Sequence, residues 1–348
     1  MTVDLAHIPA ELDQEKKGLT LFAQLSRRIQ ESGLFEKQPR YFAFKIPLTL
    51  CLLIPGIAIV MLTENLWLQL LNAVFLAIIS TQIGFLGHDA GHRQIFQSAA
   101  KDDLLATLLV PLVGVSSSWW TDTHNRHHRH PNQIGSDPAI EYDLFSFSDV
   151  QTSRKSRVQR ALVRYQAFYF LPLALAYPLQ MRISSIKFLL KGTARYPRLE
   201  SFLFVLHFPL YFALLFSQLS PWTAVAFILV HQSLFSLFLL SAFGPNHKGM
   251  PVLEADHQLD YIHQQVSTAQ NLQSGPFTDF WFGGLNYQIE HHLFCDIPRN
   301  KLKAAQKIIK PFCKKNSIPY RESKAPRCYW DLLKFLHQTG APLRRKRT

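Results

Sequence analysis

Four long apolar stretches, grouped in two pairs, organise the chain of 348 residues. Residues 43–62 carry a single charge, Lys45, near their start, and residues 66–86 carry none. Residues 202–219 and 222–243 form the second pair and hold no Asp, Glu, Lys or Arg. Each stretch is about 20 residues long, enough for a helix rising ~1.5 Å per residue to cross a ~30 Å hydrocarbon core. Short polar breaks, Thr63-Glu64-Asn65 and Ser217–Pro221, join the members of each pair. The pattern predicts an all-α, polytopic membrane protein with four transmembrane helices in two hairpins.

The polar stretches complete the plan. Residues 1–42 form an N-terminal segment, helical around Leu19–Ile29; residues 43–243 form the membrane domain; residues 244–348 are its soluble C-terminal part. The insert 87–200 contains two shorter apolar runs, Leu104–Val115 and Ala167–Leu179, broken by Pro111, Gly114, Pro172 and Pro178. Both runs are too short to span comfortably and are read as interfacial or packed against the bundle.

Charge fixes the orientation. All 37 Lys and Arg fall within 1–45, 87–200 and 244–348, and neither outer turn has one. By the positive-inside bias, these three segments and both termini are cytoplasmic. The net charge of +13 therefore belongs to loops beside anionic lipid, and no nucleic-acid partner is expected. Hydrophobic residues at 48% and charged ones at 18% agree with a membrane protein. Cys51, Cys295, Cys313 and Cys328 form no C-x-x-C pair, so no zinc ribbon or disulfide framework is indicated. The polar N-terminus does not read as a cleaved signal peptide.

Eight of the 15 histidines, His130 among them, lie in three short windows: 88–92, 124–130 and 288–292. His88 and His92 stand at i, i+4; His124 meets His127 and His128 at i+3 and i+4; Gln288 meets His291 and His292 in the same way. Those offsets share one helix face. Neutral imidazole is the commonest metal ligand, and the charge count puts every window on the cytoplasmic side. His247 follows the fourth span directly, after Asn246. Gly244 and Pro245 are expected to end that helix and turn the chain across the bundle. Ligands numbering eight or nine, with no thiolate among them, suit two metal ions, since a single zinc needs only about three. Such a site above apolar helices points to oxygen activation and attack on an unactivated C–H bond of a lipid chain.

These motifs resemble the integral-membrane fatty acid desaturases. Their three histidine boxes are similar to His88-Asp89-Ala90-Gly91-His92, His124-Asn125-Arg126-His127-His128 and Gln288-Ile289-Glu290-His291-His292. The segments Gly244–Met250 and Gly283–Gln288 also look like this family, and the resemblance covers roughly residues 40–320. It implies two Fe ions held by His88, His92, His124, His127, His128, His247, His291 and His292, with Asn246 and Gln288 acting through water or beside the metal. It implies O2 as co-substrate, an acyl-lipid or acyl-CoA substrate, and a cis double bond as product. Glutamine at 288 resembles the front-end branch, its sphingolipid relatives and some bacterial acyl-CoA desaturases. No His-Pro-Gly-Gly haem-binding signature is present. A separate donor of ferredoxin or cytochrome b5 type with its reductase, and a bacterial inner (plasma) membrane, are therefore expected.

Other residues rank lower. His130 lies at i+6 from His124, off the shared face. Asp89 is the leading candidate to orient an imidazole, ahead of Asp137, Asp143 and Glu290, which read as surface carboxylates. Trp119, Trp120 and the intramembrane His231 could border an acyl tunnel; interface anchoring and packing are the plainer roles, and His207 is read as packing too. A fatty acyl hydroxylase on the same scaffold shares every ligand. A membrane metal transporter is the alternative of another class, but it would want acidic residues inside the spans.

The topology is checked by labelling single cysteines in an otherwise Cys-free protein. Cysteines at Asn65 and Ser220 should react from the side opposite to one at Ser323. Labelling of all three from the same side would refute the two-hairpin arrangement.

Overall fold

A computed structural model of the protein describes residues 10–344, with side chains from residue 17 onward. The closing basic run at Arg345, Lys346 and Arg347 lies outside the described residues. Four helices are long and apolar enough to cross a membrane: Pro39–Leu62, Leu66–Gly91, Pro197–Gln218 and Pro221–His247. The first is two helices in series, Pro39–Cys51 and Leu53–Leu62, meeting at Leu52. Pro47 lies inside the first of them, where a missing N–H weakens the ladder. The chain is a multi-pass membrane protein.

The chain divides into two compact units. One comprises 37–125 and 168–243 and carries nearly all of the long apolar helices. The other comprises 1–36, 126–167 and 244–348.

In the apolar unit, the first two long helices approach closely because Gly56 has no side chain. A Cβ there would collide with Leu76. Polar side chains lock the pair where no water can reach. Asn72 Nδ2 donates to Gly56 O at 2.9 Å, and Gln69 Nε2 donates to Ile59 O and Thr63 O at 2.8 and 2.7 Å. Asn65 caps the second helix by accepting from Leu68 N. Val60, Ala73, Leu76, Leu215, Leu219, Ala224 and Phe227 form the core between the helices. The outward faces stay apolar: Leu62 and Trp222 are 83% and 84% exposed. Such a surface is stable only against lipid.

The second unit has a water-soluble pattern. The Ala10–Glu31 helix buries Leu25 and Ile29 with Ile262 and Val266 of Tyr261–Ser267, and with Ile289 and Leu293 of Gln288–Leu293. The Leu302–Lys315 helix adds Leu302, Ala305, Ile309, Phe312 and Cys313. To this otherwise helical fold the structure adds one short parallel pairing, Asn271–Leu272 with Glu322–Ser323.

One local expectation is overturned. Gly244 and Pro245 do not end the fourth helix, which runs on to His247. Lys248 N still donates to Gly244 O at 3.0 Å. The last carbonyls are satisfied by Gln270, whose Nε2 donates to Pro245 O at 2.7 Å and whose N donates to Asn246 O at 2.9 Å. The Pro245 carbonyl, left over at the helix end, is thus taken up by a side chain from elsewhere in the chain.

Ile309 tests the core of the second unit. Ile309→Ala removes buried methyl groups and should cost about 2–5 kcal/mol of stability. The readout is a fall in the thermal midpoint of the detergent-solubilised protein. An unchanged midpoint would show that this helix is not a structural member of the core.

Candidate metal centre

The helix ends bring the histidines into place. His88 closes the long Leu66–Gly91 helix and His92 is its C-cap. The Ser117–Arg129 helix carries His124, His127 and His128. Its start is fixed from the apolar unit: the fully buried Glu200 accepts from Ser118 N at 2.9 Å, from Ser118 Oγ at 2.6 Å, and from Ser116 Oγ. Ser116 Oγ accepts in turn from Trp119 N at 3.1 Å. A carboxylate at a helix N-terminus is favoured by the helix dipole.

Within the apolar unit, His88, His92 and His124 offer ligand atoms within 4.8 Å of one another. Their ring centroids lie 4.6–5.0 Å apart. Trp120 stacks on His124 at 4.4 Å, with 23° between the planes. It also meets His88 edge-on at 5.4 Å. Gly91 leaves room for that indole, since a Cβ there would lie 2.6 Å from it.

In the second unit, His127, His247 and His292 form another buried set, again with ligand atoms within 4.8 Å. His128 stacks on His292 at 4.2 Å, and His291 meets His128 edge-on at 4.7 Å. The partners of the outer nitrogens decide the chemistry. His247 Nδ1 lies 3.0 Å from Thr268 O, which can only accept, so Nδ1 carries the proton. His127 Nδ1 lies 2.9 Å from Asp137 Oδ2, and His292 Nδ1 lies 3.0 Å from Gln265 Oε1. In a neutral ring with Nδ1–H, Nε2 is an unprotonated acceptor. These Nε2 atoms face inward: those of His127 and His247 are 3.3 Å apart. Two lone pairs that close repel unless a cation or a proton lies between them. The donor set therefore fits an imidazole-bound metal.

Asp137 is more deeply built in than its sequence position suggested. It is fully buried, and its carboxylate also accepts from Asn132 N and Ala139 N, each at 2.8 Å. Burial alone would raise its pKa. The adjacent His127, Lys248 and the Ala139 N–H outweigh this and hold it down at about 2. Asp89 is buried, and its Oδ1 is 3.7 Å from His88 Nδ1, beyond hydrogen-bond range of that atom. Asp143 is exposed and accepts from Gln159 Nε2 at 3.3 Å. Glu290 is buried, not at the surface. Burial raises it to about 7, against hydrogen bonds from Tyr320 Oη at 2.7 Å and Asn271 Nδ2 at 2.6 Å.

Gln288 Nε2 reaches His247 Nε2 at 2.9 Å, and Asn246 Nδ2 donates to Gln288 Oε1 at 3.0 Å and to Leu285 O at 2.8 Å. His130 is exposed and bonded to Gln133 Oε1 at 2.9 Å, away from these rings. His231 bonds Tyr211 Oη at 2.9 Å and Ser80 Oγ at 3.2 Å. With His207, it lines an apolar cavity of about 290 Å³ among the long helices. Trp119 and Trp120 are not in that lining. Thr268, Gln265 and Asn132 were missed by the sequence reading. Thr268 acts through its backbone carbonyl, which no motif reveals.

A multi-pass membrane protein with two buried sets of imidazoles at helix ends is a narrow class. Residues 65–324 match the family described as fatty acid desaturase. The chain belongs to that family. It is 28% identical over 334 residues to the delta(6)-fatty-acid desaturase of Caenorhabditis elegans, covering 91% of this chain and 74% of that one. It is 29% identical over 315 residues to the delta(8)-fatty-acid desaturase of Euglena gracilis, covering 86% and 74%. With delta(8)-fatty-acid desaturase 2 of Arabidopsis thaliana it shares 28% over 319 residues, covering 86% and 70%. The protein is a fatty acyl desaturase and an oxidoreductase.

Asp137→Ala removes the acceptor that fixes His127. Loss of such a partner typically costs about 10–100-fold in metal affinity or activity. Metal content and turnover should fall together, while Asp143→Ala leaves both near normal. Equal behaviour of the two variants would remove Asp137 from the centre.

Proposed function

We propose that this protein introduces a cis double bond toward the carboxyl end of a long acyl chain, using O2 and two external electrons at a diiron centre. The observation that carries the proposal is the inward convergence of Nε2 atoms whose Nδ1 sides are bonded to Asp137, Thr268 and Gln265. The ligands are His88, His92, His124, His127, His128, His247, His291 and His292. Asn246 orients Gln288 beside His247. The front-end position is supported by the delta(6) and delta(8) relatives and by glutamine at 288.

The overall change balances as one –CH2–CH2– unit, O2, two electrons and two protons giving one cis –CH=CH– and two waters. Bound iron supplies O2 activation and hydrogen abstraction. The chain's own residues supply the rest. Asp137, Thr268 and Gln265 hold the rings in one tautomer. Trp120 closes one side of His88 and His124. The cavity lined by Leu76, Ile83, Leu206, Phe227, His231 and Phe235 takes apolar chain away from water. The carrier is a membrane lipid or CoA, and the electrons come from a separate ferredoxin- or cytochrome b5-type donor. Both termini and the histidine windows face the cytoplasm of a plasma membrane.

Expression in a host lacking polyunsaturated lipids, followed by mass spectrometry of double-bond position, tests the reading. A new cis bond between the carboxyl end and an existing double bond is expected. Hydroxylated chains without new double bonds would instead support a hydroxylase. The ligand assignment has its own test. His247→Ala should be inactive and iron-depleted, while His130→Ala keeps much of its activity. Near-normal iron and turnover in His247→Ala would exclude it as a ligand.

A further inference from the structure

The Leu302–Lys315 helix carries five lysines and no acidic residue. Lys303, Lys307, Lys310 and Lys314 follow i, i+4, i+7 and i+11, so they share one face. All four are exposed. The opposite face is fully used, with Leu302, Ala305, Ile309, Phe312 and Cys313 buried in the core. Two of the lysines have carboxylate neighbours: Lys303 lies 3.7 Å from Asp279, and Lys310 pairs with Glu322. Among the described residues, no carboxylate lies within ion-pair range of Lys307 or Lys314.

The position of this stripe gives it meaning. Lys310 Nζ sits 6.0 Å from the Tyr320 ring centroid. Tyr320 is half-buried and donates to Glu290 Oε1 at 2.7 Å. Glu290 immediately precedes His291 and His292. Gln306, on the same helix as the lysines, donates to Tyr320 Oη and to Glu322 Oε1, each at 3.2 Å. A continuous bonded layer thus runs from the cationic surface to the third histidine window.

We infer that the lysine stripe of Leu302–Lys315 is the docking surface for an acidic one-electron carrier protein, which delivers reducing equivalents above His291 and His292. The inference rests on the desaturase reading, whose reaction consumes two electrons that the chain does not hold. Each docking event passes one electron from the reduced carrier to the metal centre, so two events serve one double bond. The occupant is a protein and not the bilayer. A helix lying on a membrane inserts an apolar face, and here that face is already spent on the core. Complementary charge steers such encounters and raises their rate.

The test compares the full-length protein with Lys307→Glu/Lys314→Glu and with Lys307→Arg/Lys314→Arg. The probes are a reduced acidic [2Fe–2S] ferredoxin and the reduced soluble domain of cytochrome b5, each with its reductase. Charge reversal should raise the KM for the more effective carrier at least 10-fold with kcat little changed. The arginine pair should behave as wild type, and wild-type KM should rise with salt. Reduction of the iron by dithionite should be the same in all three proteins. An unchanged carrier KM in the reversed variant overturns the proposal. So does failure of both carriers to reduce a wild type that dithionite reduces. So does an intact KM combined with lost binding to phosphatidylglycerol vesicles, which would assign the stripe to the membrane. Failure of the dithionite-reduced wild type to make any double bond would instead sink the desaturase reading itself.

Discussion

The structure depends on one constraint: buried imidazoles must have their outer nitrogens satisfied so that their inner lone pairs can converge. Asp137, Thr268 O and Gln265 occupy the Nδ1 sides of His127, His247 and His292. With those bonds made, each Nε2 is left as an acceptor, and two of them stand 3.3 Å apart. The Gln288 amide at 2.9 Å answers the His247 acceptor, and the Nε2 of His127 faces the same point. The arrangement is preorganised for a cation.

The rest of the fold follows from having to place that polar machinery at the ends of helices made for lipid. The long helices deliver His88 and His247 at their final turns, where the apolar pattern stops. Side chains take up backbone groups where helices turn, start or end: Gln69 at the first turn of the bundle, Glu200 at the start of the histidine helix, Gln270 at the end of the fourth. In each case the partner of a backbone group left over at a turn, cap or proline is a side chain, because water is not available there.

Much of this was legible in the chain. Apolar run length gave the four helices, and the offsets between histidines gave the shared faces. Both signals are periodic and local, and both survive folding unchanged. What was not legible depended on distant partners. Asp137 looked like a loop carboxylate, yet His127, Asn132 and Ala139 enclose it. Asp89 lies one residue from His88, and its Oδ1 is 3.7 Å from that ring's Nδ1. Adjacency in sequence on a helix points two side chains about 100° apart, which works against contact. Pro245 read as a helix end, yet the helix runs two residues past it, and Gln270, whose side chain takes up the Pro245 carbonyl there, is 25 residues further on. Glu290, read as a surface carboxylate, is buried with Tyr320, which is 30 residues away.

The most direct test is the metal content of the purified, full-length protein. The two clustered sets of imidazoles, with Nδ1 bonds fixing the tautomers of His127, His247 and His292, predict two irons per chain. Elemental analysis returning one zinc and no iron would contradict that account.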